Sequence, residues 1–113
     1  MGLRSERDPI PQGTLDMLIL QTLATREEMH GFEIANYIQE HTEDVLQVEE
    51  GSLYPALQRL LLDGSVTGEW GRTEGNRRAR YYRLTARGRK QLARHVEQYR
   101  RVTRAIGQIL QPA

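Results

Sequence analysis

Apolar positions recur at helical spacing in three successive segments, then alternate, then return to a long helical period. Residues 13–24, GTLDMLILQTLA, hold the first pattern. Leu15, Leu18, Ile19 and Leu23 make one stripe, Met17 and Leu20 widen it, and Thr14 stands where a cap is expected. A helix apolar on so many sides must be covered by other elements or by a second subunit. Residues 25–30 read as a charged link. Residues 32–40 read as a second helix with Ile34, Ala35 and Ile38 inward. In VEEGSLYPALQRLL, Leu53, Leu57, Leu60 and Leu61 follow i, i+4, i+7, i+8, one face of a third helix. This helix is expected to run from Ser52, as N-cap, to about Gly64, with Pro55 tolerated in its first turn, where the missing amide would have no partner. Its other face presents Ser52, Pro55, Gln58, Arg59 and Leu62, with donors, one cation and no acid.

After Gly64 the period changes to two. Residues 65–70 and 80–85 alternate as strands, with Tyr82 and Leu84 on one face and Tyr81 on the other. Between them GRTEGNRRA supplies turn residues and Arg72, Arg77 and Arg78, so the pair predicts a β-hairpin with a basic tip. Trp70 ends the first strand, where a core or hairpin-base role is expected. From Ala86 the helical pattern resumes, with Thr85 as cap. Leu92, Val96, Tyr99, Thr103, Ile106 and Leu110 are spaced 4, 3, 4, 3, 4, a heptad seam that Val102 and Ile109 broaden. A helix this long exceeds what a small domain needs, so part of its seam is expected to meet another subunit; packing on the first helix is the alternative, and the two are compatible.

The order helix, helix, helix, strand, basic loop, strand, long helix predicts an α+β, mostly helical fold. It is a winged helix-turn-helix of three helices and a two-stranded β-hairpin wing, followed by a long C-terminal dimerisation helix. The expected organisation is an N-terminal arm over residues 1–12, the DNA-binding domain over 13–85 and the dimerisation helix over 86–113. In that fold the third helix enters the major groove. Ser52 and Gln58 can then bond base edges or phosphates, Arg59 a guanine or a phosphate, and Tyr54 the backbone. Arg77 and Arg78 at a loop tip suit phosphates. An ordinary amphipathic helix and a solvated loop would show the same residues.

Charge sharpens the choice. The net charge of +1 hides a division: residues 1–71 carry 4 basic and 13 acidic side chains, net −9, and residues 72–113 carry 12 and 2, net +10. All cations but Lys90 are arginine. A block this basic points to a polyanion or to an acidic partner surface. The histidines, His30, His41 and His95, lack metal-ligand spacing, and His30 before Gly31 reads as a helix-start or buried polar residue. No phosphate loop or nucleophile elbow appears, so neither metal, cofactor nor catalytic residue is expected and the chain does not read as an enzyme. There is no cysteine, no apolar run of membrane-spanning length and no apolar core to the N-terminal segment, which fits a cytoplasmic protein.

The segments GTLDMLIL, HGFEIANYI, VLQVEEGSLYPALQRL and NRRARYYRLTARGRKQL resemble the PadR family of bacterial transcriptional regulators. The resemblance runs in order over residues 13–92, and the pairing of EEGSLYPALQRL with RRARYYRLT is its specific part. It implies a homodimeric repressor on a double-stranded DNA operator, released by a small molecule. The single C-terminal helix resembles the short-tailed subgroup, in which that helix dimerises and the ligand sits in the dimer cleft. By position, Ser52, Leu53, Tyr54 and Pro55 fall at the start of the family's recognition helix, and Gly75, Asn76, Arg77 and Arg78 on its wing. Two residues depart from the pattern. Ser65 stands where relatives often carry a bulky side chain, which would loosen that corner, and the long helix has Tyr99 but no Trp to stack a planar drug. The expected dimer seam is Leu92, Val96, Tyr99, Ile106 and Leu110. An effector cleft is expected between Leu15, Met17 and Ile19 of the first helix and Val96 and Tyr99 of the long one, suited to an apolar or aromatic molecule with few charges. A winged-helix module that binds only protein is the competing reading.

Overall fold

The computed structural model describes residues 8–11 and 13–111, which leaves most of the expected arm outside the described residues. Four helices carry the fold: α1 Leu15–Thr25, α2 Gly31–His41, α3 Glu50–Leu62 and α4 Ala86–Leu110. Five strands accompany them: β1 Asp8–Pro9, β2 Met29–His30, β3 Leu46–Gln47, β4 Val66–Arg72 and β5 Arg78–Leu84. Strands β4 and β5 form the hairpin, and β2 adds to its far edge in an antiparallel sheet of order β2-β5-β4. Strands β1 and β3 make a separate parallel pair, Asp8 against Leu46 and Pro9 against Gln47. This is a winged helix-turn-helix with one long additional helix.

The core lies where α1 crosses the others. Ile19, Leu20 and Leu23 of α1 meet Ile34 and Ile38 of α2, Leu53, Leu57 and Leu60 of α3, and Val66 and Tyr82 of the hairpin. Side chains from three helices and a sheet thus close around one stripe. Burying each such aliphatic chain contributes about 1.5–3 kcal/mol.

Several boundaries differ from the expected ones. The charged link ends in a strand: Met29 and His30 pair with Tyr82 and Tyr81, and Met29 is buried. Helix α3 starts earlier, at Glu50, with Glu49 as N-cap and no side-chain cap bond, so Ser52 is an ordinary exposed helical residue. Pro55 therefore sits inside the helix rather than in its first turn. It leaves the Gly51 carbonyl without a helical donor, which is tolerable because Gly51 is exposed. Thr14 does flank α1, but its hydroxyl donates backward to the Pro11 carbonyl at 2.7 Å and caps nothing.

Two caps match the sequence reading. His30 Nδ1 accepts the Glu33 amide at 3.3 Å while Glu33 accepts the His30 amide at 3.1 Å, a reciprocal capping box. Thr85 Oγ1 accepts the Gly88 amide at 2.9 Å and fixes the start of α4. The same hydroxyl lies 2.7 Å from the Gly64 carbonyl and 2.9 Å from that of Ser65, so one residue ties the end of α3 to the beginning of α4. Gly88 makes this possible, because a Cβ there would collide with the Ser65 carbonyl oxygen and lie 2.7 Å from Leu84 Cδ1. Ser65 stands in that corner without a bulky side chain, and its hydroxyl has no hydrogen-bond partner among the described residues. The residue is completely buried, and its amide donates to the Leu60 carbonyl and to Asp63 Oδ1, each at 2.9 Å.

Candidate nucleic-acid interface

Burying Leu53, Ala56, Leu57 and Leu60 turns the rest of α3 outward. Pro55, Gln58 and Leu62 lie opposite the buried stripe and are exposed. The two margins of that outward face differ. On one, Tyr54 is 47% exposed and its ring packs on Gly31 at the start of α2. On the other, Arg59 is not a free cation: its Nη2 donates to Asp16 Oδ1 of α1 at 2.9 Å. Ser52, on the same side as Arg59, borders a groove with Ile10, Pro11, Leu15 and Val48. The side chain of Arg59 is 60% exposed, so this pair contributes at most about 1 kcal/mol and leaves Arg59 able to exchange Asp16 for a stronger acceptor.

The wing is longer and its tip tighter than the turn residues suggested. Pairing continues through Trp70 with Arg80, Gly71 with Ala79 and Arg72 with Arg78, so only residues 73–77 form the loop. Within it the Thr73 amide donates to the Arg77 carbonyl and the Asn76 amide to the Thr73 carbonyl, each at 2.9 Å. Asn76 takes the left-handed conformation, φ +63°, which Asn accepts more readily than most residues. Gly75 is exposed but supplies no left-handed residue to the turn. Arg77 is exposed on the tip and Arg78 on the first residue of β5, and neither has an acidic partner among the described residues. Arg83, lower on the same strand, is by contrast held by Glu27 at 3.4 Å and Glu28 at 3.0 Å.

Trp70, Arg80 and Phe32 were not among the candidates from sequence. Trp70 is 58% exposed, so it is not a core residue; the Arg78 guanidinium carbon stands 4.3 Å from its ring centre and that of Arg80 5.7 Å. Strand parity gives the reason. Trp70 points to the same side as Val66 and Gly68, and Arg80 to the same side as Tyr82 and Leu84. By Trp70, however, the hairpin has run past the core, and that side faces a groove instead. At the groove floor Tyr82 is buried. Burial pushes its phenol above the usual range, Arg80 pulls it back and Tyr54 raises it, so the group stays protonated at neutral pH.

Helix α4 divides in two. Its first half lies on α1, with Leu92 and Val96 partly covered. Beyond them Tyr99, Val102, Ile106, Ile109 and Leu110 are 44%, 47%, 51%, 84% and 75% exposed, a continuous uncovered apolar row. Within one chain the residues expected at the effector cleft lie apart. Ile19 is completely buried in the core, Met17 is also buried, and Leu15 faces the groove beside Ser52. The cavity that does exist between α1 and α4, of ≈ 660 Å³, is lined by Gln21, Leu92, Val96, Arg100 and Arg104 among others, so of the five residues expected only Val96 borders it. The helical period sets Arg100 and Arg104 beside Val96, and Glu97 is the one acid in that lining. Among the described residues no group of acidic, histidine or cysteine side chains could hold a metal, and no helix is long and apolar enough to cross a membrane.

Comparison with known proteins agrees with this geometry. A transcriptional regulator from Clostridium thermocellum superposes with a TM-score of 0.80 at 28% identity, covering 88% of this chain and 96% of that one. A PadR-like transcriptional regulator from Bacillus cereus superposes with a TM-score of 0.73 at 26% identity, covering 90% and 96%. An uncharacterized protein from Lysinibacillus sphaericus is 30% identical over 100 residues, 88% of this chain and 91% of its own. The family model for PadR-like transcriptional regulators matches residues 19–94, which run from the middle of α1 through the recognition helix and wing into α4. With fold, wing and recognition helix in one continuous match, the chain belongs to the PadR-like family of transcriptional regulators, which are not enzymes.

Proposed function

We propose that this DNA-binding regulator is a cytoplasmic, ligand-responsive repressor that binds a palindromic operator as a homodimer. One observation carries the reading: the outward face of α3 from Ser52 to Leu62 holds no acid, and beside it stand Arg77 and Arg78 with no acidic partner among the described residues. A helix of side-chain diameter about 10–12 Å fills a major groove about 12 Å wide, so Gln58 meets base edges while the wing meets the backbone. Two such helices related by the α4 seam read a site with two-fold symmetry, its halves about 34 Å apart. Release by a small molecule is supported by the open groove along α4 beside Gln21, where the apolar Leu92 and Val96 lie next to charged side chains. Its arginines favour an apolar molecule carrying a negative group over an uncharged one.

Helix and wing should separate by mutation. Arg77→Ala and Arg78→Ala should weaken binding to all sequences about equally. Gln58→Ala should change which sequence is preferred, at about 1–3 kcal/mol per lost base contact. Arg59→Ala should shift preference too, by less, because Asp16 already competes for the guanidinium. Binding measured across a randomised duplex pool distinguishes these. Base preference altered by Arg77→Ala and untouched by Gln58→Ala and Arg59→Ala would reverse the assignment of helix and wing.

A further inference from the structure

Between the wing and the first turns of α2 and α3 lies a groove of ≈ 730 Å³, bordered by Phe32, Tyr54, Trp70, Arg78 and Arg80 and floored by Tyr82. Three features of it are unexplained by folding. Phe32 and Trp70 are 64% and 58% exposed, although the core is complete without them. Two guanidinium groups stand against the one indole ring, despite their mutual repulsion. The Arg80 Nε–H is shielded from solvent and has no acceptor among the described residues. An unmade hydrogen bond of this kind is costly and uncommon, and because that nitrogen is shielded, the terminal nitrogens of Arg80 are the donors left to meet an acceptor from outside. A Cβ on Gly68 would lie 2.8 Å from that Nε, so only glycine lets the arginine stem cross the strand there.

The geometry points to a DNA backbone phosphate seated in this groove, accepting from Arg80, with Trp70 as the positioning residue that holds Arg78 and Arg80 ready. The inference rests on the DNA-binding reading above and adds two residues to it. A helix that fills the major groove has phosphates along both its margins. Tyr54 marks the margin that faces the wing, and the groove opens there. The indole face offers each cation an attraction that survives without an anion, so both are oriented before DNA arrives and less side-chain entropy is lost on binding. Arginine suits the task better than lysine because its planar head can stack and donate at once.

The test uses the full chain and a random-sequence duplex of about 25 base pairs, with the dissociation constant followed against salt. Arg80→Gln should weaken binding roughly tenfold or more and reduce the salt slope by about one per subunit, the loss of one phosphate contact. Trp70→Leu changes no charge, yet should weaken binding several-fold, while Trp70→Phe keeps most of the affinity. In an Arg78→Gln/Arg80→Gln background Trp70→Leu should have no further effect, which a purely structural role would not produce. Thermal melts show which variants are folded, and because Trp70 is the only tryptophan its emission in the unaltered chain should change on adding duplex. Inorganic phosphate at millimolar concentration should leave that emission unchanged; a saturable response to it, with none to DNA, would reassign the groove to a small anion and overturn the proposal. Steep salt dependence in the unaltered chain with Arg80→Gln and Trp70→Leu indistinguishable from it would overturn this inference alone, whereas no salt-dependent binding by the unaltered chain would remove the reading beneath it.

Discussion

Aspartate at both Val96 and Ile106 should convert a dimer into a monomer that no longer holds its operator. The row Tyr99, Val102, Ile106, Ile109 and Leu110 stands uncovered along the second half of α4, and the 4, 3, 4, 3, 4 spacing of the seam keeps it on one side of the helix. An exposed apolar stripe of this length on a 25-residue helix marks an interface. Residues 99–110 span about 17 Å at 1.5 Å per residue, enough for two copies to cross and cover one another. Each large aliphatic chain buried there contributes about 1.5–3 kcal/mol, and a carboxylate in its place loses that and adds a desolvation cost. Val96 is also partly covered within its own chain, so the single Ile106→Asp variant separates loss of the dimer from loss of the fold. Sedimentation equilibrium at micromolar concentration gives the answer. A monomeric unaltered chain, or a folded double variant that remains a dimer, would contradict the seam.

Affinity for duplex DNA should fall by roughly 10³–10⁵ between 50 and 200 mM salt, if each subunit neutralises about three to four phosphates. The cause is the division of charge along the chain. The net +10 of residues 72–113 is concentrated on the hairpin and α4, and the one wing arginine neutralised by acids is Arg83, held by Glu27 and Glu28. Arg77, Arg78 and Arg80 keep their charge for an outside partner. A flat salt profile would count against the wing as contact surface and would favour a winged helix that binds protein alone.

Much of this was legible along the chain, because long periodic segments announce themselves. The three helices, the hairpin, the long helix and its Thr85 cap all follow from spacing and capping chemistry. What stayed hidden depended on partners far away in sequence. Strand β2 is two residues, too short for any period to show, and forms only because β5 offers it an edge. Arg59 looked free because Asp16 lies 43 residues earlier. Trp70 obeys strand parity but overhangs the end of the core, which its own sequence neighbours do not show. The start of α3 was misread because Gly51 and Pro55 argue locally against helix, while the Ser52 and Leu53 amides both bond to the Glu49 carbonyl and begin it there. Which α1 residues stay available to an effector was hidden for a similar reason: an all-round apolar α1 gives no sign of which side the domain itself will cover.

Two copies of α3, set by an α4 dimer, are expected to recognise duplex DNA specifically. Selection of bound genomic fragments by the purified protein, followed by sequencing, tests it directly. A small set of enriched fragments is expected, sharing an inverted repeat with half-sites about 10 base pairs apart, centre to centre, or a multiple of that. Fragments recovered without any shared motif, or a single unrepeated site bound by one chain, would contradict it.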